Sequence, residues 1–264
     1  MTSSLAAGVH EFACPGPIDV RLRVHHGDVI VTTHDRAVAT VTIEDKDHGE
    51  TTSRTQVGFD GTRLGVETPE GPWLSLRKHR VRVLVTVPRE STLTAYLDSA
   101  DLRTDGQLAT VHATTGSGDI YVPETTGDLS AESGSGDLHL GRVGGLLRAH
   151  SSSGDITATE VFGDAVVDVA SGDVQLGPVR GALRVRSASG DIKVSAVHGR
   201  EVGIDAASGD VTVGVPAGTS VWMDLSSVSG NTRNKLTPTG EPDGGPQLTL
   251  RVHTISGDIQ IQRA

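Results

Sequence analysis

The sequence predicts an all-β fold of the solenoid type, in which short strands stack coil upon coil. Three observations predict it. One motif, Ser-Gly-Asp-aliphatic, recurs in "ESGSGDLHLG" from Glu132, "SSSGDITATE" from Ser151, "VASGDVQLGP" from Val169 and "SASGDIKVSA" from Ser187. Its Asp keeps a ruler: Asp101, Asp119, Asp137, Asp155, Asp173 and Asp191 fall at every eighteenth position, Asp210 follows after 19, Asn231 after 21 and Asp258 after 27. A fixed period of this kind is the mark of a repeat architecture and outranks local propensity. Around each motif, aliphatic and polar residues alternate with a period of two, and no segment has helical periodicity.

Taken along the chain, the first third is the least regular. "HHGDVIV" from His25 is a single good copy of the motif, with Val29 and Val31 pointing inward and the two histidines on a solvated strand edge. "AVATVTIE" from Ala37 and "VRVLVTVP" from Val81 are strands, and "RTQVGFDGTRLGVETP" from Arg54 is two strands around a Gly-containing turn. "EGPWLSLRKHR" is a loop with Trp73 and a basic cluster, Arg77, Lys78, His79 and Arg80. This region is expected to form longer, irregular coils that cap and begin the solenoid, with a separate small β-sandwich as the alternative.

From residue 91 the period becomes strict. A strand follows each Asp, inward at Ile120 and Val122, Leu138 and Leu140, Val174 and Leu176, Ile192 and Val194, Val211 and Val213. Half a period later a second turn falls at Gly127, Gly145, Gly163, Gly181 and Gly199. A second strand then turns Leu129 and Ala131, Leu147 and Ala149, Ala165 and Val167, Leu183 and Val185, Val202 and Ile204 inward. Parallel self-stacking is preferred over an antiparallel meander, because equivalent positions match in size. Ser135, Ser153, Ser171, Ser189 and Ser208 form one column, and Val143, Val161, Val179 and Val197 another. "TPTGEPDGGP" from Thr237 is a loop by its Pro and Gly content, and "LTLRVHTISGDIQIQ" closes the last coil. The expectation is one domain over 1–264: irregular N-terminal coils and cap at 1–90, regular repeats at 91–232, loop insertion and closing coil at 233–264.

The motif itself reads as a corner. Gly118, Gly136, Gly154, Gly172, Gly190, Gly209 and Gly257 let the chain turn sharply. The Asp beside each glycine accepts backbone N–H groups nearby, as in an Asx-turn. The Ser adds a hydroxyl that reaches its copy in the next coil. These Asp and Gly residues are therefore structural turn residues.

Composition bounds the function. The chain of 264 residues is long for one ordinary core, but a repeat fold has no such limit. With 33 Gly and 3% aromatics, the core must be thin. The net charge of −10, with both signs mixed along the chain, argues against a nucleic-acid surface. Cys14 is the only cysteine, so nothing demands an oxidising compartment. "MTSSLAAGVHEFACPGP" has His10 and Glu11 where a signal peptide needs an apolar core, and "VRVLVTVP" is too short to span a bilayer. A cytoplasmic protein without membrane insertion is expected. With caps at both ends, the irregular first third and the loop near Pro242, it should be a monomer or small oligomer.

"PGPIDVRLRVHHGDVIV", the serial Ser-Gly-Asp corners, "VGVPAGTSVWMDLSSVSGNTRN" and the closing "ISGDIQIQRA" resemble the bacterial putative-adhesin β-strand-repeat family, a domain of unknown function, and within it a signal-less actinobacterial branch. The resemblance covers nearly the whole chain. It implies a right-handed parallel β-helix and no established activity, so it carries over no catalytic residue.

Three chemistries can be set against these residues. Calcium β-rolls share this coil length, but they repeat acids on both edges. Here the second edge reads Asp128, Leu146, Asp164, Ala182 and Arg200, and calcium needs six to eight oxygens. Carbohydrate-active β-helices cluster carboxylates and cations on an outer face. The outward positions read Tyr121, His139, Thr157, Gln175, Lys193 and Thr212 on one strand, and Glu132, His150, Asp168, Arg186 and Asp205 on the other, where His150 to Arg186 gather His, Asp and Arg side by side. The 11 histidines show no zinc spacing. A sugar-binding or ice-binding ladder of Thr or aromatics is missing, and Trp73, Trp222, Phe162 and Tyr121 read as packing or cap residues. The reading is a non-enzymatic structural or protein-interaction scaffold, adhesin-like, with an unknown protein partner and no catalytic, cofactor or metal residues. A carbohydrate-binding or carbohydrate-active β-helix, or a calcium β-roll, is the alternative.

Overall fold

A computed structural model describes residues 9–45, 55–69, 80–236 and 247–264. Among them the chain is all β, a parallel β-solenoid without a helix. The strands are β1 (Val9–Ala13), β2 (Asp19–His34), β3 (Val38–Asp45), β4 (Gln56–Phe59), β5 (Arg63–Glu67), β6 (Val81–Pro88), β7 (Thr92–Asp105), β8 (Val111–Ser117), β9 (Ile120–Thr125), β10 (Leu129–Ser135), β11 (Leu138–Val143) and β12 (Leu147–Ser153). They continue as β13 (Ile156–Val161), β14 (Ala165–Ser171), β15 (Val174–Val179), β16 (Leu183–Ser189), β17 (Ile192–Val197), β18 (Glu201–Ser208), β19 (Val211–Val215), β20 (Ser220–Ser229), β21 (Thr232–Asn234), β22 (Gln247–Ser256) and β23 (Ile259–Arg263). Two compact units divide the chain, Met1–His139 and Leu140–Ala264.

In the first unit, β2 lies parallel to β7 although their motifs are far apart in sequence, and Asp28 stands opposite Asp101. β8 and β9 stack on β7, and β10 on β8, all parallel. Inward residues fall into columns: Val20, Leu93, Val111 and Leu129 in one, Leu22, Ala95, Ala113 and Ala131 in the next. All are essentially inaccessible to solvent. Each large aliphatic side chain so buried contributes about 1.5–3 kcal/mol of hydrophobic stabilisation, and a thin core is filled by repeating it coil after coil.

The irregular region is only partly made of coils. β2 is a full coil and pairs in parallel with β5 and β6 on its other side. β3 runs antiparallel to β6, β1 antiparallel to β3, and β4 antiparallel to β5. The cause is local in the last case. Asp60-Gly61-Thr62 is a three-residue hairpin loop, with Gly61 at a φ of 105° and the Asp60 carboxylate accepting from the Thr62 and Arg63 N–H groups. The basic loop from Glu70 to His79 and the loop from Thr237 to Pro246 lie outside the described residues.

In the second unit, β12, β14, β16 and β18 stack in parallel, as do β13, β15, β17 and β19, with no antiparallel hairpin among them. The Ser and Val columns hold: Ser153, Ser171, Ser189 and Ser208 are in register, and so are Val161, Val179 and Val197. The closing segment departs from the expected order. β22 lies between β18 and β20, and β23 between β19 and β21. The last coil in sequence is therefore the penultimate coil in space, and the Asn231 coil is the outermost. This explains the broken ruler. The long step to Asn231 lets the chain climb over one layer, and the longer step to Asp258 lets it return and fill that layer.

Candidate functional site

At each corner the main-chain ladder has to cross a sharp turn. The Gly154 N–H donates to the Ser171 carbonyl at 3.0 Å, and the Ile156 N–H to the Asp173 carbonyl at 2.9 Å. Between them, the amide of the Asp has no carbonyl to meet. The carboxylate of the preceding coil supplies the acceptor instead. Asp119 and Asp137 N–H donate to Asp101 and Asp119 Oδ1 at 3.1 and 2.9 Å in the first unit. In the second, Asp173, Asp191 and Asp210 N–H donate to Asp155, Asp173 and Asp191 Oδ1, Asp258 to Asp210, and Asn231 to Asp258, each at 2.8 Å. The Asp thus caps its neighbour in the stack and not its own turn, which corrects the Asx-turn expectation. The local Asx geometry occurs at Asp60, where the next amides lie in the same hairpin. The second edge uses the same device where it has an acid, with Ala182 N–H on Asp164 Oδ1 at 2.8 Å.

Gly190 shows why the corner needs glycine. Its φ is 121°, and a Cβ there would lie 2.0 Å from the Gly172 carbonyl oxygen. Gly118, Gly136, Gly154, Gly172, Gly209 and Gly257 share the positive φ. One Ser-to-Ser contact of the expected kind joins Ser117 Oγ to Ser99 Oγ at 3.3 Å. One oxygen of each of the acids Asp101, Asp119, Asp155, Asp173, Asp191, Asp210 and Asp258 is engaged by a backbone amide. That leaves a poor donor set for a cation that takes six to eight oxygens.

The outward rows follow the period. On the second unit, His150, Asp168, Arg186, Asp205 and His253 stand opposite one another on successive strands. Arg186 and Asp168 approach to 3.9 Å, and His253 lies 3.6 Å from both Asp205 and Asp224. Arg251 pairs with Glu201 at 3.1 Å and lies over the Trp222 ring. The inserted β22 thus sets Arg251 and His253 against acids on the flanking strands, Glu201 and Asp205 on β18 and Asp224 on β20. Beside this row runs an exposed apolar ridge, Ala170, Ala188, Ala207 and Ile255.

Several side chains stand otherwise than expected. Phe162 is not packed inward: it is flanked by Arg142 and Arg180, both paired with Glu160. Tyr121 is exposed under Arg103, and Trp222 is 58% exposed. His25 is not solvated but 8% exposed, with Nδ1 2.5 Å from Asp98 Oδ2 and its backbone N–H donating to Thr68 Oγ1. No pattern in the sequence links it to Asp98, because the contact depends on β2 docking beside β7. Two titrating groups are displaced. Amides of Thr62 and Arg63 hold the Asp60 carboxyl below its usual value, and burial pushes the Cys14 thiol up. Among the described residues no group of three or more His, Cys, Asp or Glu could hold a metal ion, and no helix is long and apolar enough to cross a membrane.

The sequence model described as Toastrack DUF4097 matches residues 19–262. No curated protein matches the chain. Among solved structures, a "putative adhesin" from Parabacteroides distasonis is 12% identical, with 96% of each chain covered and a TM-score of 0.51. A "putative lipid binding protein" from the same organism is 13% identical over 98% of this chain and 97% of that one, TM-score 0.49. A "putative adhesin" from Bacteroides fragilis is 13% identical over 97% and 96%, TM-score 0.40. At these identities the first likeness shows a shared fold and nothing more.

Proposed function

The chain belongs to the Toastrack DUF4097 family, and on that premise we propose that it is a non-catalytic β-solenoid scaffold that docks a protein partner on its outer face, in the manner of an adhesin. The observation that carries this reading is the face of the second unit, where the charged row from His150 to His253 runs beside the ridge from Ala170 to Ile255. Five strands at a spacing of about 4.8 Å make this row about 19 Å long. Protein interfaces combine an apolar centre with a patterned polar rim, and charge complementarity sets their specificity. Small-molecule and catalytic sites are concave and gather unpaired groups. Here the face carries a shallow groove lined by Arg186, Asp205, Ala207, His253 and Ile255, but it is open to solvent and its polar groups engage one another, Asp168 with Arg186 and Asp205 with His253. We also place the protein in the cytoplasm, where its single buried Cys14 remains a thiol; cell fractionation tests that placement.

The test is capture from a lysate of the native host by the wild type and by an Asp168→Arg, Asp205→Arg double variant. A stoichiometric protein that the wild type retains, and the folded variant loses, supports the scaffold. A glycan that binds the same face, or any turnover abolished by the double substitution, overturns it.

A further inference from the structure

β20 (Ser220–Ser229) ends the stack on its face of the second unit. One side pairs with β22, and among the described residues no strand pairs with the other. Natural edge strands are blunted by Lys, Pro, a bulge or short length. This edge has ten residues, "SVWMDLSSVS", with Asp224 as its one charge. Val228 is 80% exposed and Trp222 58%. Val221, Met223 and Leu225 face the core side opposite the buried Leu248, Leu250 and Val252, yet are themselves only half-buried. Among the described residues the edge therefore offers unpaired backbone groups and an uncovered apolar layer together.

The order of residues along the edge identifies what fits it. In an antiparallel pair, opposite residues share a face, so a strand meeting its own copy must have its two-fold axis through a residue. An axis through Asp224 sets that carboxylate against itself. One through Met223 sets Trp222 against Asp224, and one through Ser226 sets Asp224 against Val228. An axis through Leu225 sets Trp222 against Val228 and Asp224 against Ser226 outside, with Leu225 on Leu225 and Met223 on Ser227 inside. Only that register joins the two exposed apolar side chains and gives the carboxylate a hydroxyl donor. We propose that β20 is a homodimerisation edge, occupied by β20 of a second copy in antiparallel pairing about Leu225. Such a contact is isologous: it uses the same edge on both copies and so closes at two. It does not rest on the scaffold reading.

The test is sedimentation of the full chain over a wide concentration range, with circular dichroism as the folding control. The wild type should sediment at twice its 27.4 kDa mass. Val228→Lys, at the most exposed apolar side chain of the edge, should raise the dissociation constant at least tenfold. Ser226→Asp, which sets a second carboxylate opposite Asp224, should do the same, whereas Ser226→Lys should dimerise at least as tightly as the wild type. A monomer at all concentrations overturns the proposal, and β20 amides protected from hydrogen exchange in that monomer would assign the edge to residues 237–246. A dimer that Ser226→Asp and Ser226→Lys affect alike also overturns it.

Discussion

Asp173 is the place to test the corner ladder, because both of its rungs are defined: its own N–H donates to Asp155 Oδ1, and its Oδ1 accepts from Asp191 N–H, each at 2.8 Å. Asp173→Ala removes one acceptor and leaves the Asp191 amide to exposed solvent. By analogy with other side-chain caps the loss should be about 0.5–2 kcal/mol. Asp173→Asn keeps the acceptor oxygen and removes a charge from a row. Neighbouring carboxylates about 4.8 Å apart repel by roughly 0.9 kcal/mol per pair in water, less with salt. Asp173 has two such neighbours, so the weaker neutral hydrogen bond and the relieved repulsion should nearly cancel. The Asn variant should melt within a few degrees of the wild type, and slightly higher at low salt. For a chain of this size each kcal/mol shifts the midpoint by about 2–4 °C, so the Ala variant should fall by several degrees at most. The assay is thermal melting of all three proteins in millimolar calcium and in chelator, at low and high salt. If Asn costs as much as Ala, the carboxylate charge is itself required. A large calcium-dependent rise that Asp173→Asn abolishes would show a metal ladder, and the amide-acceptor account would be wrong.

Gly190→Ala should be far more damaging than any change at Asp173. The positive φ alone costs about 1–3 kcal/mol, and the collision with the Gly172 carbonyl requires two coils to move apart; denaturant titration should show the larger loss. Cys14 is buried and its thiol pKa is raised above the ordinary 9.0, so at neutral pH it should react with a thiol reagent only as fast as the chain opens, and at once in denaturant. Asp60 has a folded pKa lowered below 3.8. Its contribution to the hairpin is therefore present above that value and lost as the pH falls through the lower, folded one. Hydrogen exchange of β4 and β5 should rise at acid pH in the wild type but be independent of pH over that window, relative to the rest of the chain, in Asp60→Asn.

Much of this fold is written in the sequence, because a coil is specified by residues close together in the chain. The aliphatic pairs such as Ile156 and Ala158 set the strands, the glycine with positive φ sets the corner, and the fixed period sets the registers found from Ser153 to Ser208. Even the outward row from His150 to Asp205 follows from that period. Which coil lies against which is a different matter. Coil edges carry the same backbone pattern, so β18 could accept β20 or β22 alike. Only tertiary structure decides, through Arg251 on Glu201, His253 between Asp205 and Asp224, and links long enough to step over a layer and return. The same holds for β2 beside β7, for His25 on Asp98, and for the Asp carboxylates. Their partners are amides one coil away, about 4.8 Å through space but a full coil or more along the chain.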